Sequence, residues 1–375
     1  MINKWAFQWK MNFNPDPTKQ AQEVVFSRKS KQTLHPPLTF NNANVAQSSS
    51  QKHLGILLDS HLTFDDHLKM VSAKINKTTG LLRKLQNVLP RSALVTIYKA
   101  FIRPHLDYGD ILYDKAYNMS FHQKLESIQY NACLAITGAI RGTSKEKIYQ
   151  ELGLESLQLR RWYRKLATFF KICKNKSPQY LFELIPKKTS SYATRNTDNI
   201  PLINIKHSFF KNSFFPSTII EWNNLDPSLR NAESFGIFKN NILKFIRPTP
   251  NSFFSCNNAK GIRFITRLRL GLSHLREHRF KHNFQNCLNP LCSCGSDIES
   301  TSHFILHCPI FSDKRQSLLS TLRNINSKLL QTTDSVLTQT LLFGCAALDT
   351  ETNSSILNAT IDYILSTERF EEPLI

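Results

Sequence analysis

Four side chains able to ligate a soft or borderline metal ion fall in one short stretch of this sequence. Cys292-Ser293-Cys294-Gly295 is followed by His303 and by Cys308-Pro309. A structural zinc ion takes four such donors at tetrahedral corners, and two thiolates on a tight turn with a permissive glycine supply half of them. His303 and Cys308 would supply the rest. They lie one helical turn plus a residue apart, and Pro309 disfavours continued helix at Cys308, freeing it to swing towards a metal. The Cys-x-Cys gap is tighter than the usual two to four residues, and Cys287 or His307 could replace one ligand. A closed set with no position for water, and with no His-Glu-x-x-His pattern, predicts a structural zinc site and no catalytic one.

Of the 8 cysteines, Cys133, Cys173, Cys256 and Cys345 are scattered while the others crowd together, which favours metal over disulfides. The 48 Lys and Arg against 28 Asp and Glu leave a formal charge of +20, which attracts polyanions. The basic residues recur along the whole chain and do not cluster beside one hydrophobic anchor, so RNA or DNA is the expected partner and a membrane is not. No apolar run reaches the roughly 18–20 residues of a membrane span, and Met1 is followed by no signal-like core. An intracellular protein of the nucleus or cytoplasm is therefore expected.

Arg263, Arg267, Arg269, Arg276 and Arg279 alternate with Phe264, Leu268, Leu270 and Phe280, a pattern that seats one face on a core and offers guanidinium groups to phosphates. Lys74, Lys77 and Lys84 fall opposite Leu68, Val71, Ile75, Leu82 and Leu85 on an amphipathic helix beginning near Asp65. Arg160, Arg164 and Lys171 fall roughly opposite Leu159, Trp162, Leu166, Phe169 and Cys173 on another. All eleven basic residues are candidates for nucleic-acid contact. The pair Asp65-Asp66 after Phe64 looks like an Mg²⁺ site of a polymerase, but acids in a first helical turn are explained by the helix dipole. No catalytic residue is assigned.

These residues must be positioned by elements that the sequence also indicates. Glu23 to Phe26 and His53 to Leu58 read as strands among loops marked by Pro15, Pro17, Pro36 and Pro37, with a loop from Asn41 to Gln51. Pro90 opens a helix carrying Leu94, Ile97, Tyr98 and Phe101, and Pro104 ends it. The expected class is mainly α with a small N-terminal β-containing piece. The expected divisions are 1–60, a palm-end segment; 61–186, helical; 187–212, a linker; 213–318, a basic module with the Cys/His cluster; and 319–375, a tail whose one clear helical candidate is around Ile356 to Ile364.

Several phrases, taken in order, resemble non-LTR (LINE, jockey-like) retrotransposon reverse transcriptases. They are Trp5 to Pro15, Phe26-Ser27-Arg28-Lys29, His53-Leu54-Gly55-Ile56-Leu57-Leu58-Asp59 with Leu62-Thr63-Phe64 and His67, and Tyr98 to Gly109. Trp222-Asn223-Asn224-Leu225, Thr266 to Gly271 and the Cys/His cluster complete the series. The resemblance implies a primer-grip-like start, a thumb-like helical region and a zinc-knuckle-like module that binds nucleic acid. It implies that the fingers and palm segments with the catalytic aspartates precede Met1, so this chain alone would not synthesise DNA. Magnesium would then enter only with a palm, supplied by an upstream polymerase segment or by the intact element protein. Two alternatives are an active polymerase with unrecognised acids and a domesticated zinc-binding interaction protein.

Overall fold

The computed structural model describes residues 2–11, 22–27, 29, 36–40, 43–114, 119–174, 176–187, 199–205, 208–249, 251–252 and 256–371. Pro15, Pro17, Arg28 and half of the expected linker, residues 188–198 and 206–207, lie outside the described residues. The fold is mainly helical with small two-stranded sheets. It divides into two units, 1–74 and 75–375.

In the first unit, His53 to Leu58 is not one strand. Ser50–His53 and Ile56–Asp59 form an antiparallel hairpin with His53 opposite Ile56. Leu54 and Gly55, both at positive φ (45° and 88°), make the two-residue turn between them. The apolar run masked the turn because only one of its two central positions is glycine. The expected loop from Asn41 to Gln51 likewise contains the short strands Ala43–Asn44 and Ala46–Gln47. Of Glu23 to Phe26, only Glu23 lies in a strand, Gln22–Glu23. The Asp59 carboxylate accepts N–H bonds from His61, Thr63 and Phe64, fixing the entry into the helix Asp65–Leu85.

In the second unit, the helix opened by Pro90 does not end at Pro104. Arg91–Ile97 passes into a π-turn, Tyr98–Ile102, and then into Arg103–Asp107 with Pro104 in its first turn. The extra residue of the π-turn lets a proline sit inside a continuing helix, and it moves Phe101 out to 62% exposure while Tyr98 and Ile102 are fully buried. Met119–Thr137 packs on this helix, on Lys145–Leu152 and on Leu157–Cys173. Serines 144 and 156 cap the latter two by accepting N–H bonds at their third residues.

Two further cores follow. Leu166, Phe169 and Phe170 share one with Ile219, Trp222, Phe238 and Ile242, and the rings of Phe170 and Phe238 stack at 4.6 Å. This core joins helices on both sides of residues 187–212, so that stretch does not separate two hydrophobic cores. The other core joins Ile262, Phe264, Ile265 and Leu268 to Leu318, Leu322, Leu337, Leu341, Ile356, Leu357, Ile361 and Ile364. The residues beyond 318 are therefore part of the module that carries the Cys/His cluster. Helices Ser312–Asn326, Asp334–Phe343 and Thr350–Ser366 supply them. Gly261 permits the closest approach, since a Cβ there would fall 2.2 Å from Ile361 Cγ2.

Candidate metal centre

Cys292 and Cys294 sit on a small hairpin. Leu291 bridges Ile298, the Cys292 N–H bonds the Asp297 carbonyl, and the Gly295 N–H bonds the Cys292 carbonyl. Gly295 has φ +75°, the left-handed angle that the turn requires. His303 begins the π-turn His303–His307, which the Cys308 N–H closes by bonding the His303 carbonyl at 2.7 Å. The tightened turn carries Cys308 back over His303, and the chain leaves at Pro309 in an extended conformation at Cys308.

The outcome is convergence. One ligand atom from each of Cys292, Cys294, His303 and Cys308 lies within 4.8 Å of all the others. Cys292 Sγ and Cys308 Sγ are 3.6 Å apart, and Cys294 Sγ is 3.3 Å from His303 Nε2. A tetrahedral zinc with bonds of about 2.0–2.3 Å separates its ligands by roughly 3.3–3.8 Å. The donor set and its spacing fit such an ion. Cys287 and His307 lie outside the set: the Cys287 thiol faces the carbonyls of Arg276 and Asn289, and His307 pairs with Asp334 at 2.7 Å.

The thiols are unequal. Hydrogen bonds from the Ser296 hydroxyl and N–H, then from Cys292 and His303, lower Cys294 to about 6, whereas burial pushes Cys292 up to about 12. Around them the backbone is clamped. Arg315, itself buried, donates to the carbonyls of Ile305 and Cys308 at 2.7 Å each. Arg369 holds buried Glu299 through two bonds, at 2.7 and 2.8 Å, and Glu299 accepts the Arg276 N–H. Phe304, fully buried, packs against Phe311, Tyr363 and Phe370. Sequence reading missed Arg315, Glu299 and Arg369. Arg369 lies 70 residues from Glu299, and only folding joins such partners.

The same region contains a buried histidine. His278 Nδ1 lies 2.9 Å from Ser273 Oγ, and burial lowers its pKa to about 4 from 6.5. Between those values the unfolded chain binds a proton that the folded chain refuses, so stability rises with pH across that window and falls on acidification. Replacing His278 by Gln is expected to remove on the order of 2–3 kcal/mol of acid sensitivity between pH 6.5 and 4. Denaturant unfolding at the two pH values checks this.

The eleven basic candidates divide into two groups. Arg160 is fully buried and donates to Asp107 at 2.8 Å and Gln129 at 3.0 Å. Arg269 is buried against Glu151 at 3.2 Å and the Leu342 carbonyl at 2.7 Å. These two guanidiniums hold the core together, because helices packed on more than one side leave no free polar face, and they offer nothing to a phosphate. Arg164 pairs with Asp110 at 2.6 Å but stays 36% exposed. Lys74, Lys77, Lys84 and Lys171 are exposed, and Arg263, Arg267, Arg276 and Arg279 are half-buried. Asp65 and Asp66 are exposed in the first turn of their helix, where Asp66 bonds Lys69 at 2.9 Å, and among the described residues they belong to no metal-binding cluster.

Fold and site thus define a helical, strongly basic protein with a Cys/His cluster able to hold a metal ion. Its relatives among characterised sequences are RNA-directed DNA polymerases of Drosophila non-LTR retrotransposons. Over 160 residues, 42% of the chain, it is 28% identical to the Drosophila melanogaster protein named "Probable RNA-directed DNA polymerase from transposon X-element". Over 143 residues, 37% of the chain, it is 28% identical to the RNA-directed DNA polymerase from mobile element jockey of the same fly. These matches cover 17% and 15% of the two relatives, so the chain spans only a small part of their length. No family model and no solved structure matches the chain. No described helix is long and apolar enough to cross a membrane.

Proposed function

We propose that this chain is the nucleic-acid-binding C-terminal part of a retrotransposon reverse transcriptase. In this reading, residues 61–186 act as a thumb-like region, and Cys292, Cys294, His303 and Cys308 hold a structural zinc ion in a zinc-knuckle-like module. The observation that carries the reading is the convergence of the four ligands in a chain of charge +20 whose relatives are RNA-directed DNA polymerases. Zinc would pin the hairpin to the π-turn, and the exposed lysines and arginines would neutralise phosphates. Release of counterions then drives association. Synthesis is not assigned to this chain alone, because phosphoryl transfer needs converging carboxylates to hold Mg²⁺ and Asp65-Asp66 lacks that geometry.

Fluorescence anisotropy with labelled single-stranded RNA and DNA tests the binding. Affinity for these single strands should fall about 300-fold or more between 50 and 200 mM salt if six or more phosphates are contacted. Binding indifferent to salt, or none, would refute the reading. Metal analysis of the purified chain should find one zinc per chain. Primer extension with Mg²⁺ should yield no product, and robust extension lost on changing Asp65 and Asp66 would reinstate an active polymerase.

A further inference from the structure

Several buried or half-buried arginines of the second unit have a carboxylate. Arg91 and Arg269 share Glu151, Arg103 has Asp107 and Glu155, Arg160 has Asp107, Arg164 has Asp110 and Arg369 has Glu299. Arg263 and Arg267, one helical turn apart on Ala259–Leu270, are half-buried without one, as Arg315 is buried with two carbonyls for partners. Arg267 Nε donates to the Gly138 carbonyl at 2.9 Å, and Arg263 Nε is buried with no acceptor. Neither makes an ion pair among the described residues. Burial lowers the pKa of both, and the neighbouring Arg263 lowers that of Arg267 further, to about 10. Two desolvated like charges destabilise a fold unless an anion joins them, and a neutral carbonyl offsets only part of one charge.

The space for an anion lies beside Arg267. A cavity of about 350 Å³ is lined by Arg83, Gln86, Asn131, Arg141 and Arg267, over small residues that include Ala135 and Gly138. Its polar side chains are all able to donate, and no carboxylate of the described residues lines it. Pockets for small-molecule ligands measure roughly 300–1,000 Å³. Gly138, at φ +63°, lets the Arg263 stem cross it, since a Cβ there would lie 2.4 Å from Arg263 Cδ. Arg83 and Arg141 are exposed at the rim, where a strand could continue past the cavity.

We infer that this cleft holds a phosphodiester of a single nucleic-acid strand, gripped by Arg267 with Arg83 and Arg141. The inference rests on the nucleic-acid reading above and adds the place where the backbone sits. Guanidinium forks bind phosphate oxygens in pairs, and Gln86 and Asn131 can donate to the remaining oxygens or to a sugar.

The test uses the full chain and labelled single-stranded RNA and DNA. Replacing Arg83 and Arg141 together by Gln touches only exposed side chains, so folding should be unaffected. Affinity is expected to drop about tenfold, and the salt slope to become shallower by about 1.4, or 0.7 for each lost phosphate contact. Arg267→Lys keeps the charge, loses the fork and should also weaken binding. Arg323→Gln together with Lys328→Gln, both exposed, removes the same two charges elsewhere and should change affinity little. Wild-type binding that is salt-dependent but equal in the double variant overturns the cleft and leaves the nucleic-acid reading standing. No wild-type binding to either polymer overturns both. Equal weakening for poly-glutamate and for RNA would mean that the cleft senses charge alone, and would overturn the phosphodiester assignment.

Discussion

Cys308→Ser is expected to abolish metal binding and to lower stability by roughly 3–5 kcal/mol, the range in which loss of a structural ion dominates other single substitutions. Cys308 is fully buried and stands where three constraints meet: its thiol faces Cys292, its N–H closes the π-turn, and its carbonyl accepts from Arg315. Serine preserves the backbone bonds but is a poor ligand for zinc. The loss therefore reports on the metal and not on the turn. Phe304 and Ile305, in the same turn, belong to the core that includes Leu322 and Ile361, so loosening the turn should lower the melting point of that whole core. A chelator added to the unaltered protein should reproduce the drop, and zinc should reverse it. Cys345→Ser, outside the ligand set, should melt like the wild type. Equal melting with and without chelator, together with a metal-free wild type, would exclude the zinc site.

The legible parts of this protein were those in which a local pattern decides the structure. The helix from Asp65 and the apolar stripe through Leu166 and Phe169 follow from period alone, and the observed spans Asp65–Leu85 and Leu157–Cys173 agree with it. The convergence of Cys292, Cys294, His303 and Cys308 is legible because their separation in the chain is short. What the pattern concealed depended on partners distant in sequence. Arg160 and Lys171 seemed alike on one helix, yet Asp107, 53 residues away, buries the first while the second remains exposed. Pro104 signalled a helix end, and the π-turn before it overruled that signal. The helices beyond residue 318 showed no role because their apolar faces acquire meaning only against Ile262, Phe264 and Ile265. The cleft escaped notice for the same reason: Arg83, Arg141 and Arg267 come from three separate stretches of the chain.

Glu151→Gln is expected to cost about 3–5 kcal/mol, comparable to the loss of the metal, because it breaks a buried charge cluster from one side. Glu151 is 1% exposed, accepts from Arg91 at 2.8 Å, from Arg269 at 3.2 Å and from Asn251 at 2.6 Å, and ties Lys145–Leu152 to Ala259–Leu270. Burial already lowers the pKa of both guanidiniums, Arg269 to about 10, even with the carboxylate in place. Glutamine retains the shape and an acceptor oxygen but removes the charge, leaving two desolvated cations facing each other. Relief should come from removing a cation as well: Arg269→Met in the Glu151→Gln background should recover part of the loss, a coupling that a double-mutant cycle in denaturant measures. Additive losses in that cycle would mean that Glu151 and Arg269 act independently. By contrast, Glu277→Gln breaks the surface pair with Lys281, whose side chain is 65% exposed, and should leave the unfolding midpoint nearly unchanged. The same Ala259–Leu270 helix thus bears Arg269, which pairs with buried Glu151, and Arg267, which makes no ion pair among the described residues. Stability should therefore respond to Glu151, while nucleic-acid affinity should respond to the rim of the cleft.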